Sequence, residues 1–372
     1  SPRQGVMNTV QRRRRRKTHR FSVLYFLLPL LMIGAMVAGW ALWAPRPLPP
    51  REAVLTLAPD QTIDQIAARL FQEKLVSSEQ IFRQEALLQH LDTFFEGGEY
   101  LLSNQSSLAE MVSQLKEHQV LRYKFTLPEG STLLQMAERF SAAPLESTAK
   151  TSSPTPFAGK ELFLALTLEG KETFAQASQS EQAPIWSAWL LDNPTINLEG
   201  YLFPGTYTLE RIDEKTLVTT LLDAMAEGIP QAWRDQAQTL GWTFHQVFTL
   251  ASMIEKEAQV DSERAVISSV FHNRLREEML LQCDPTVEYA IGSHHFPLTA
   301  EELAVDSPYN TYLYPGLPVG PICNPGLASI EAALFPAQTE LYYFVAKEDG
   351  SHLFGATYAE HLANIEEIWG SP

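Results

Sequence analysis

Two glutamates close to the end of one predicted helix are the residues best suited to acid–base chemistry. The segment HQVFTLASMIEKEA (245–258) has apolar residues at helical spacing, and Glu255 and Glu257 border its apolar face on opposite sides. Burial against apolar walls raises the pKa of a carboxylic acid because it penalises the charged form, and a general acid near neutral pH needs such a pKa. The pattern does not distinguish the two residues. It also leaves open that both reach solvent or pair with Arg264 or Lys256.

Loops rich in glycine, proline, tyrosine and asparagine follow this helix and are expected to shape a site. In LQCDPTVEYAIG (281–292), Asp284 is predicted to begin a turn or a helix, and DSPYNTYLY (306–314) brings three tyrosines and an asparagine into one loop. The stretch GLPVGPICNPG (316–326) is expected to form a cleft wall. Aromatic faces and amide side chains suit sugar rings. Tyrosines in loops are as often structural, so these segments alone do not identify a ligand.

A repeated strand–turn–helix pattern stands before these elements. Segments 55–70 and 125–140 share six identical residues at an offset of 70, and a looser copy lies at 99–115. Each copy predicts a short strand, a turn and an amphipathic helix. The hydroxyl residues predicted as N-caps are Thr62, Ser107 and Thr132. We therefore expect a small β-α module over residues 53–140, with chance similarity of ordinary α/β elements as the alternative.

The predicted fold class is α+β, and changes in composition predict where the remaining segments begin and end. Residues 44–52 form a proline-rich linker, 141–157 read as a flexible loop, and 158–372 predict a mixed α/β domain. Two cysteines occur, Cys283 and Cys323, and the sequence is compatible both with one disulfide and with two buried thiols. No cysteine–histidine spacing is typical of a metal site, so we expect neither metal nor cofactor.

The first 43 residues predict a membrane anchor. Residues 1–20 carry eight basic side chains and no acidic one, and residues 21–43 carry no charge. A helix of that length crosses a hydrocarbon core of about 30 Å. By the positive-inside rule the basic tip is expected in the cytoplasm, with the catalytic part on the periplasmic or extracytoplasmic side of the inner membrane. A cleaved signal peptide is the alternative, but the length of the apolar run favours an uncleaved, single-pass transmembrane helix.

Several motifs in a fixed order resemble one known family. They are LEGYLFPGTYTL (198–209), ASMIEKEAQVDSERAVISSVFHNRL (251–275), LQCDPTVEYAIG, SPYNTY, GLPVGPICNPG and LFPAQTELYYFV (334–345). In this order they resemble the YceG-like family of endolytic murein transglycosylases, and the repeat module resembles LysM domains. The resemblance assigns the catalytic glutamate to Glu255. One departure is Gly205, where the family pattern has an aspartate.

The resemblance implies cleavage of the bond between N-acetylmuramic acid (MurNAc) and N-acetylglucosamine (GlcNAc) within nascent peptidoglycan strands, which limits strand length. The product ends are 1,6-anhydro-MurNAc, no cofactor is needed, and peptidoglycan synthases are natural partners. The residues expected to bind the strand or orient the acid are Glu199, Gln282, Asp284, Tyr309, Asn310 and Tyr312.

Two other functions stay open at this point. A hydrolytic muramidase would need a second carboxylate such as Glu257 or Asp284. A non-catalytic scaffold would bind peptidoglycan through the repeats alone. Nucleic acid is not an expected partner, because the chain carries a net charge of −16 and is basic at one tip but acidic elsewhere.

Overall fold

The chain forms two compact units, Ser1–Gln119 and Val120–Pro372. The computed structural model describes residues 29–36, 48–91, 95–142, 146–147, 163–164, 167–168, 174, 180–195, 197–210, 214–295 and 297–370. Both units combine helices with antiparallel strands. The predicted mixture of α and β structure is therefore confirmed.

The predicted transmembrane helix over residues 21–43 is not found, and this prediction is corrected. Within that segment the structure describes residues 29–36, which are helical and exposed, whereas 21–28 and 37–43 lie outside the described residues, as does the basic tip at 1–20. Eight helical residues extend about 12 Å, less than half of a hydrocarbon core of about 30 Å. Among the described residues, no helix has the length and apolarity that crossing a membrane requires. The predicted single-pass placement in the inner membrane is corrected on the same ground.

The first unit is a two-stranded antiparallel sheet packed against three helices. Its elements are β1 (Glu52–Leu57), α1 (Ile63–Gln72), α2 (Glu79–Leu88), β2 (Gly98–Ser103) and α3 (Leu108–Lys116). β1 pairs with β2 so that Leu57 lies opposite Gly98. Alternate side chains of a strand point to the same face of the sheet. Leu55 and Leu57 of β1 are therefore both buried, in an apolar core that also contains Tyr100 of β2 and residues of the helices.

The predicted N-caps are confirmed. The hydroxyl groups of Thr62 and Ser107 each accept a hydrogen bond from the backbone N–H three residues later, and the Gln65 and Glu110 side chains accept from the N–H of their cap residues. Thr132 makes the same reciprocal pair with its third following residue, at 3.0 and 3.2 Å. Such a reciprocal pair is called a capping box, and it satisfies N–H groups at the helix terminus that would otherwise lack a partner.

The second unit contains the remaining elements. They are β3 (Tyr123–Leu127), α4 (Leu133–Ala142), β4 (Glu146–Ser147), α5 (Ala183–Leu191), β5 (Gly205–Leu209), α6 (Glu214–Gly228), α7 (Gln231–Leu240), α8 (Phe244–Glu257), a 3₁₀ turn (Asp261–Glu263), α9 (Arg264–Arg276), α10 (Asp284–Ile291), α11 (Ala300–Leu303), α12 (Leu327–Leu334), β6 (Tyr343–Ala346), β7 (His352–Gly355) and α13 (Tyr358–Trp369). β6 and β7 form an antiparallel hairpin on which α13 packs.

The strand–turn–helix copy at 125–140 is part of the second unit. Its strand β3 pairs with β4 and β5 in an antiparallel sheet of order β4-β3-β5, with Leu127 opposite Gly205. The units divide after Gln119, ahead of the boundary at residue 140 that the sequence suggested. This placement brings the turn between β3 and α4 close to the helix that carries the two glutamates.

Helix α8 lies at the centre of the second unit. Its predicted extent is confirmed: a capping box at Thr243 starts it, and the backbone becomes extended at Ala258. The apolar side chains that the helical spacing places on one face are buried, and the polar residues Thr249 and Ser252 of the same helix are buried as well. They are tolerated because their hydroxyl groups donate to the carbonyls of His245 and Thr249, at 2.7 Å each. Helix α8 is therefore enclosed on most sides, and its last turn, with Glu255 to Glu257, approaches solvent.

Candidate active site

The Glu255 carboxyl group is held at a junction of three elements. It projects from the last turn of α8, and its Oε2 accepts hydrogen bonds from the Ser329 hydroxyl at 2.6 Å and from the Gly326 N–H at 3.2 Å. Arg264, the first residue of α9, places its Nη2 3.8 Å from Oε1, and the Glu255 side chain is 8% exposed. Gly326 is the N-cap of α12, so the carboxyl also faces the positive end of that helix. One oxygen is thus anchored, while the other has no hydrogen bond among the described residues.

A second carboxylate borders the same place. Glu129 lies in the turn between β3 and α4, and its side chain fills the space beside the Gly326 Cα: a Cβ on Gly326 would stand 2.2 Å from Glu129 Oε1. A Cβ on Gly130, the next residue of that turn, would stand 3.6 Å from Glu255 Cγ. Burial and then the neighbouring Glu255 raise the pKa of Glu129, and Arg264 opposes them. The turn of the repeat copy at 125–140 therefore forms part of the Glu255 site.

Asn324 ties the surrounding loops together. Its Oδ1 accepts from the N–H groups of Gly200 and Leu202, at 3.0 and 2.9 Å, and its Nδ2 donates to Glu199 Oε1 at 2.9 Å and to the Ser131 carbonyl at 3.0 Å. Asn324 itself is buried. Because one side chain satisfies groups from two other segments, residues 199–202 and the turn at Ser131, these two segments and the Asn324 loop keep a fixed arrangement behind Glu255.

Glu199, predicted as a site residue, is 2% exposed. Besides Asn324, it accepts from the Leu133 N–H at 3.2 Å and from the Tyr289 hydroxyl at 3.2 Å. Burial raises its pKa to about 7, and hydrogen bonds from Leu133 and Tyr289 oppose the rise. Its contacts connect the start of α4, α10 and the Asn324 loop, so it supports the site from inside the unit.

Glu257 faces a different group of residues from Glu255. Residues two positions apart on a helix do not share a face. Its Oε1 accepts from the Cys283 thiol at 3.2 Å. Burial raises the pKa of Glu257 to about 7; the Cys283 hydrogen bond opposes this, and the charges of Asp284 and Glu288 add to it. The structure therefore separates the two glutamates, which the helical pattern could not do.

The remaining predicted residues lie in the loops near Cys283. Gln282 is exposed, and Asp284, the first residue of α10, accepts from the Tyr312 hydroxyl. The Tyr309 ring lies 4.9 Å from that of Tyr289. Asn310 is buried: its Nδ2 donates to two backbone carbonyls, and its Oδ1 accepts from the Tyr312 N–H. Gln282 and Tyr309 present surface, whereas Asn310 holds its loop together.

Both cysteines are free and buried. The Cys283 thiol donates to Glu257, and the Cys323 thiol donates to the Ser252 carbonyl at 3.4 Å. Burial raises the pKa of both thiols well above the usual value. Of the two possibilities that the sequence left open, the structure shows the pair of buried thiols.

Gly205 adopts a backbone conformation that suits glycine. Its φ is +156°, which residues with a side chain rarely adopt. It begins β5 opposite Leu127. An aspartate at this position would require a different local backbone.

Several site residues were not identified as such from the sequence. The sequence patterns do not single out Glu129, Ser329 or Asn324, and they indicate Arg264 only as one of two possible partners of the glutamates. Asn324 and Gly326 do lie in the stretch expected to form a cleft wall. The signal for Glu129 was its place in the turn of a repeated motif, but that pattern does not reveal what the turn packs against.

The candidate site is a nearly buried carboxyl with one anchored oxygen, at the end of a central helix in an α+β unit, and this arrangement is of the class that suits acid–base chemistry. Among the described residues, no group of histidine, cysteine and acidic side chains is arranged to hold a metal ion. The chain belongs to the YceG-like family, whose model matches residues 55–367.

Known proteins agree with this assignment. An endolytic murein transglycosylase from Bacillus subtilis is 31% identical over 338 residues, which cover 89% of each chain. A protein of the same name from Streptococcus pneumoniae is 30% identical over 292 residues, 74% of this chain and 51% of that protein. The crystal structure of a YceG-like protein from Listeria monocytogenes is 32% identical, with a TM-score of 0.55, and covers 85% of this chain and 99% of that one.

Proposed function

We propose that this chain is an endolytic lytic transglycosylase that cuts peptidoglycan strands between MurNAc and GlcNAc, with Glu255 as both acid and base. Relatives named endolytic murein transglycosylase support the reaction class. The observation that carries the role of Glu255 is its hydrogen bonding: two donors hold Oε2, whereas Oε1, 3.8 Å from Arg264 Nη2, accepts no hydrogen bond among the described residues and can meet a substrate.

In the first step the Glu255 carboxylic acid gives its proton to the glycosidic oxygen, and the bond from that oxygen to C1 of MurNAc breaks. Positive charge then develops at C1 and the ring oxygen. The Ser329 hydroxyl and the Gly326 N–H stabilise the carboxylate that remains, because hydrogen bonds to an ionised acceptor are about twice as strong as those between neutral groups.

In the second step that carboxylate takes the proton of the C6 hydroxyl of the same MurNAc, and O6 bonds to C1. Glu255 is protonated again, and neither water nor an external nucleophile is consumed. Attack within one molecule has a large effective-molarity advantage. The low exposure of the Glu255 side chain suits a reaction that must exclude water.

The structure offers less support to the alternative of a hydrolytic muramidase with Glu257 or Asp284 as its second carboxylate. Glu257 is engaged with the Cys283 thiol, and Asp284 with the Tyr312 hydroxyl. Neither shares the hydrogen-bond partners of Glu255. A base that activates water would have to lie across the sugar from the acid, and these two carboxylates serve other contacts.

The other predicted residues act on the strand in two ways. Gln282 and Tyr309 contact the sugars directly, since both present surface. The residues that keep the binding loops in place are Glu199, Asp284, Asn310 and Tyr312. We propose further that the first unit, with its LysM-like repeats and its own core, gives additional glycan binding, and that cleavage occurs next to peptidoglycan synthases and limits the length of nascent strands.

Product analysis in ¹⁸O-water tests this function. The full chain is incubated with un-crosslinked glycan strands, and the fragments are analysed by mass spectrometry. Internal fragments ending in 1,6-anhydro-MurNAc without ¹⁸O are expected. Reducing ends that carry ¹⁸O would instead identify a hydrolase, and intact strands would leave a binding role only.

A further inference from the structure

A cavity lies at the end of α8 that is opposite to Glu255. Its walls come from the end of α5, from α7 and from the connection between α7 and α8, and its volume is about 280 Å³. Phe244 begins α8 and lines the cavity, so the cavity is about 16 Å from Glu255 along the helix. Sites for drug-sized ligands usually have volumes of about 300–1,000 Å³. This cavity therefore has room for one small ring rather than for a long segment of a ligand.

Two stacked aromatic pairs form the apolar wall of this cavity. Trp189 stacks on Phe244 with ring centroids 4.6 Å apart, and both side chains are nearly buried. Trp242 stacks on His272 with centroids 4.8 Å apart and an angle of 5° between the rings. The histidine covers one face of Trp242, which is half-buried and lines the cavity, so the other face is left for a ligand. An indole that is already held in place loses little freedom when a ring stacks on it.

Arg234 and Asp192 line the cavity without pairing with each other. The Arg234 guanidinium lies 5.9 Å from the Trp189 ring centroid, and its Nη2 donates to the carbonyls of Ala226 and Ile229 at 2.7 and 3.1 Å. Its Nε is buried and has no hydrogen-bond partner among the described residues, so Nη1 is the nitrogen left to meet a ligand. Asp192 is exposed, and its carboxylate forms no hydrogen bond or ion pair within the described part of the chain.

These groups favour an uncharged ligand that both donates and accepts hydrogen bonds. One cation and one anion in the same wall give no net attraction for a charged ligand of either sign. Gln231 and Gln238 add exposed amide groups. A sugar ring has an apolar face for Trp242 and hydroxyl groups that can donate to Asp192, and an N-acetyl group adds a carbonyl that can accept from Arg234.

We propose that this cavity is a remote subsite of the transglycosylase, which binds one GlcNAc ring of the peptidoglycan strand away from the bond that is cut. The proposal rests on the function proposed above. Of the two sugars in the strand, GlcNAc fits because it carries neither a lactyl group nor a peptide stem, for which the cavity has no room. Because the contacts are far from Glu255, they are equally strong before and in the transition state. Such contacts lower KM and leave kcat unchanged.

Binding of peptide-free glycan strands to the full chain tests this subsite. Glu255→Gln is the parent protein, so that strands are not cut, and binding is followed by calorimetry and by tryptophan fluorescence. Asp192→Ala should weaken binding at least about tenfold, the effect of one hydrogen bond to a charged group. Trp242→Phe keeps an aromatic face, so affinity should stay within about threefold while the fluorescence change on binding becomes smaller. Glu277→Ala is the matched control, because this acidic residue is exposed and does not line the cavity.

Turnover by proteins that retain Glu255 gives a second reading. Asp192→Ala should raise KM for strand cleavage at least about tenfold and change kcat little. Binding within about twofold of the parent in both Asp192→Ala and Trp242→Ala would overturn the proposal. Circular dichroism checks the fold of Trp242→Ala, whose ring packs on His272. A fluorescence change that requires peptide stems would also overturn it, since the cavity would then bind the stem. If the wild type made no anhydro ends, the proposed function would fail, while the binding results would still decide the subsite.

Discussion

Replacing Glu257 with glutamine should make the protein more stable at alkaline pH. The carboxyl of Glu257 titrates near 4.5 when unperturbed and at about 7 in the fold, mainly because of burial. A raised pKa in the folded state means that its contribution to stability is complete below about pH 4.5 and is lost as pH rises through 7. The difference of about 2.5 pKa units corresponds to about 3.5 kcal/mol at about 1.4 kcal/mol each.

Partial exposure of the residue reduces that figure. Glu257 is half-buried overall, so solvent screens part of the penalty and we expect about 2 kcal/mol. Glutamine keeps an oxygen that can accept from the Cys283 thiol and carries no charge. The variant should therefore gain about 2 kcal/mol over wild type at pH 8 and close to nothing at pH 4.5.

Urea unfolding followed by tryptophan fluorescence measures this difference. Five of the seven tryptophans belong to the second unit, so the signal reports mainly on the unit that contains Glu257. Wild type, Glu257→Gln and the exposed-site control Glu277→Gln are compared from pH 4.5 to 8. Wild type and control should lose stability in parallel as pH rises, because both keep Glu257. The pKa of Glu199 is also raised, so its contribution to stability is lost in the same direction in all three proteins. If Glu257→Gln followed the same curve, the assigned burial of this carboxyl would be refuted.

Two further substitutions probe the site. Ser329→Ala removes the 2.6 Å hydrogen bond to the acid; a bond to a charged group contributes about 1.5–3 kcal/mol, so kcat should fall at least about tenfold while the melting temperature changes little. Normal kcat would show that this hydroxyl does not stabilise the carboxylate. Asn324→Ala leaves the N–H groups of Gly200 and Leu202 without a partner and removes one hydrogen bond from the buried Glu199. We expect a loss of about 3 kcal/mol or more in urea unfolding, and a loss below about 1 kcal/mol would contradict the role of Asn324 in holding three segments together.

The sequence predicts correctly those helix boundaries and N-caps that depend only on residues close together in the chain. The extent of α8 and the caps at Thr62, Ser107 and Thr132 follow from apolar spacing and from N–H groups that need an acceptor within three residues. Tertiary packing decided the rest. Helical periodicity identified one buried face of α8, but it could not show that neighbours also cover Thr249 and Ser252.

Long-range contacts account for what the sequence missed at the site. Glu129 stands 126 positions before Glu255 in the sequence, and only the pairing of β3 with β5 and the backbone hydrogen bonds with Asn324 bring its turn to α8. The same contacts separate Glu255 from Glu257, which look equivalent on a helical wheel. The transmembrane prediction for 21–43 rests on the length of an uncharged apolar run behind a basic tip, and the described part of that segment is too short a helix to support it.

The central claim is that one glutamate, Glu255, carries the acid and base roles. The direct test is the rate of strand cleavage at neutral pH by wild type, Glu255→Gln and Glu257→Gln, with circular dichroism and glycan binding measured on each. Loss of a general acid costs about 100- to 10,000-fold, so we expect that loss in Glu255→Gln, with folding and binding retained and with anhydro products from Glu257→Gln at near wild-type rate. The reverse pattern, or equal activity in both variants, would contradict the account.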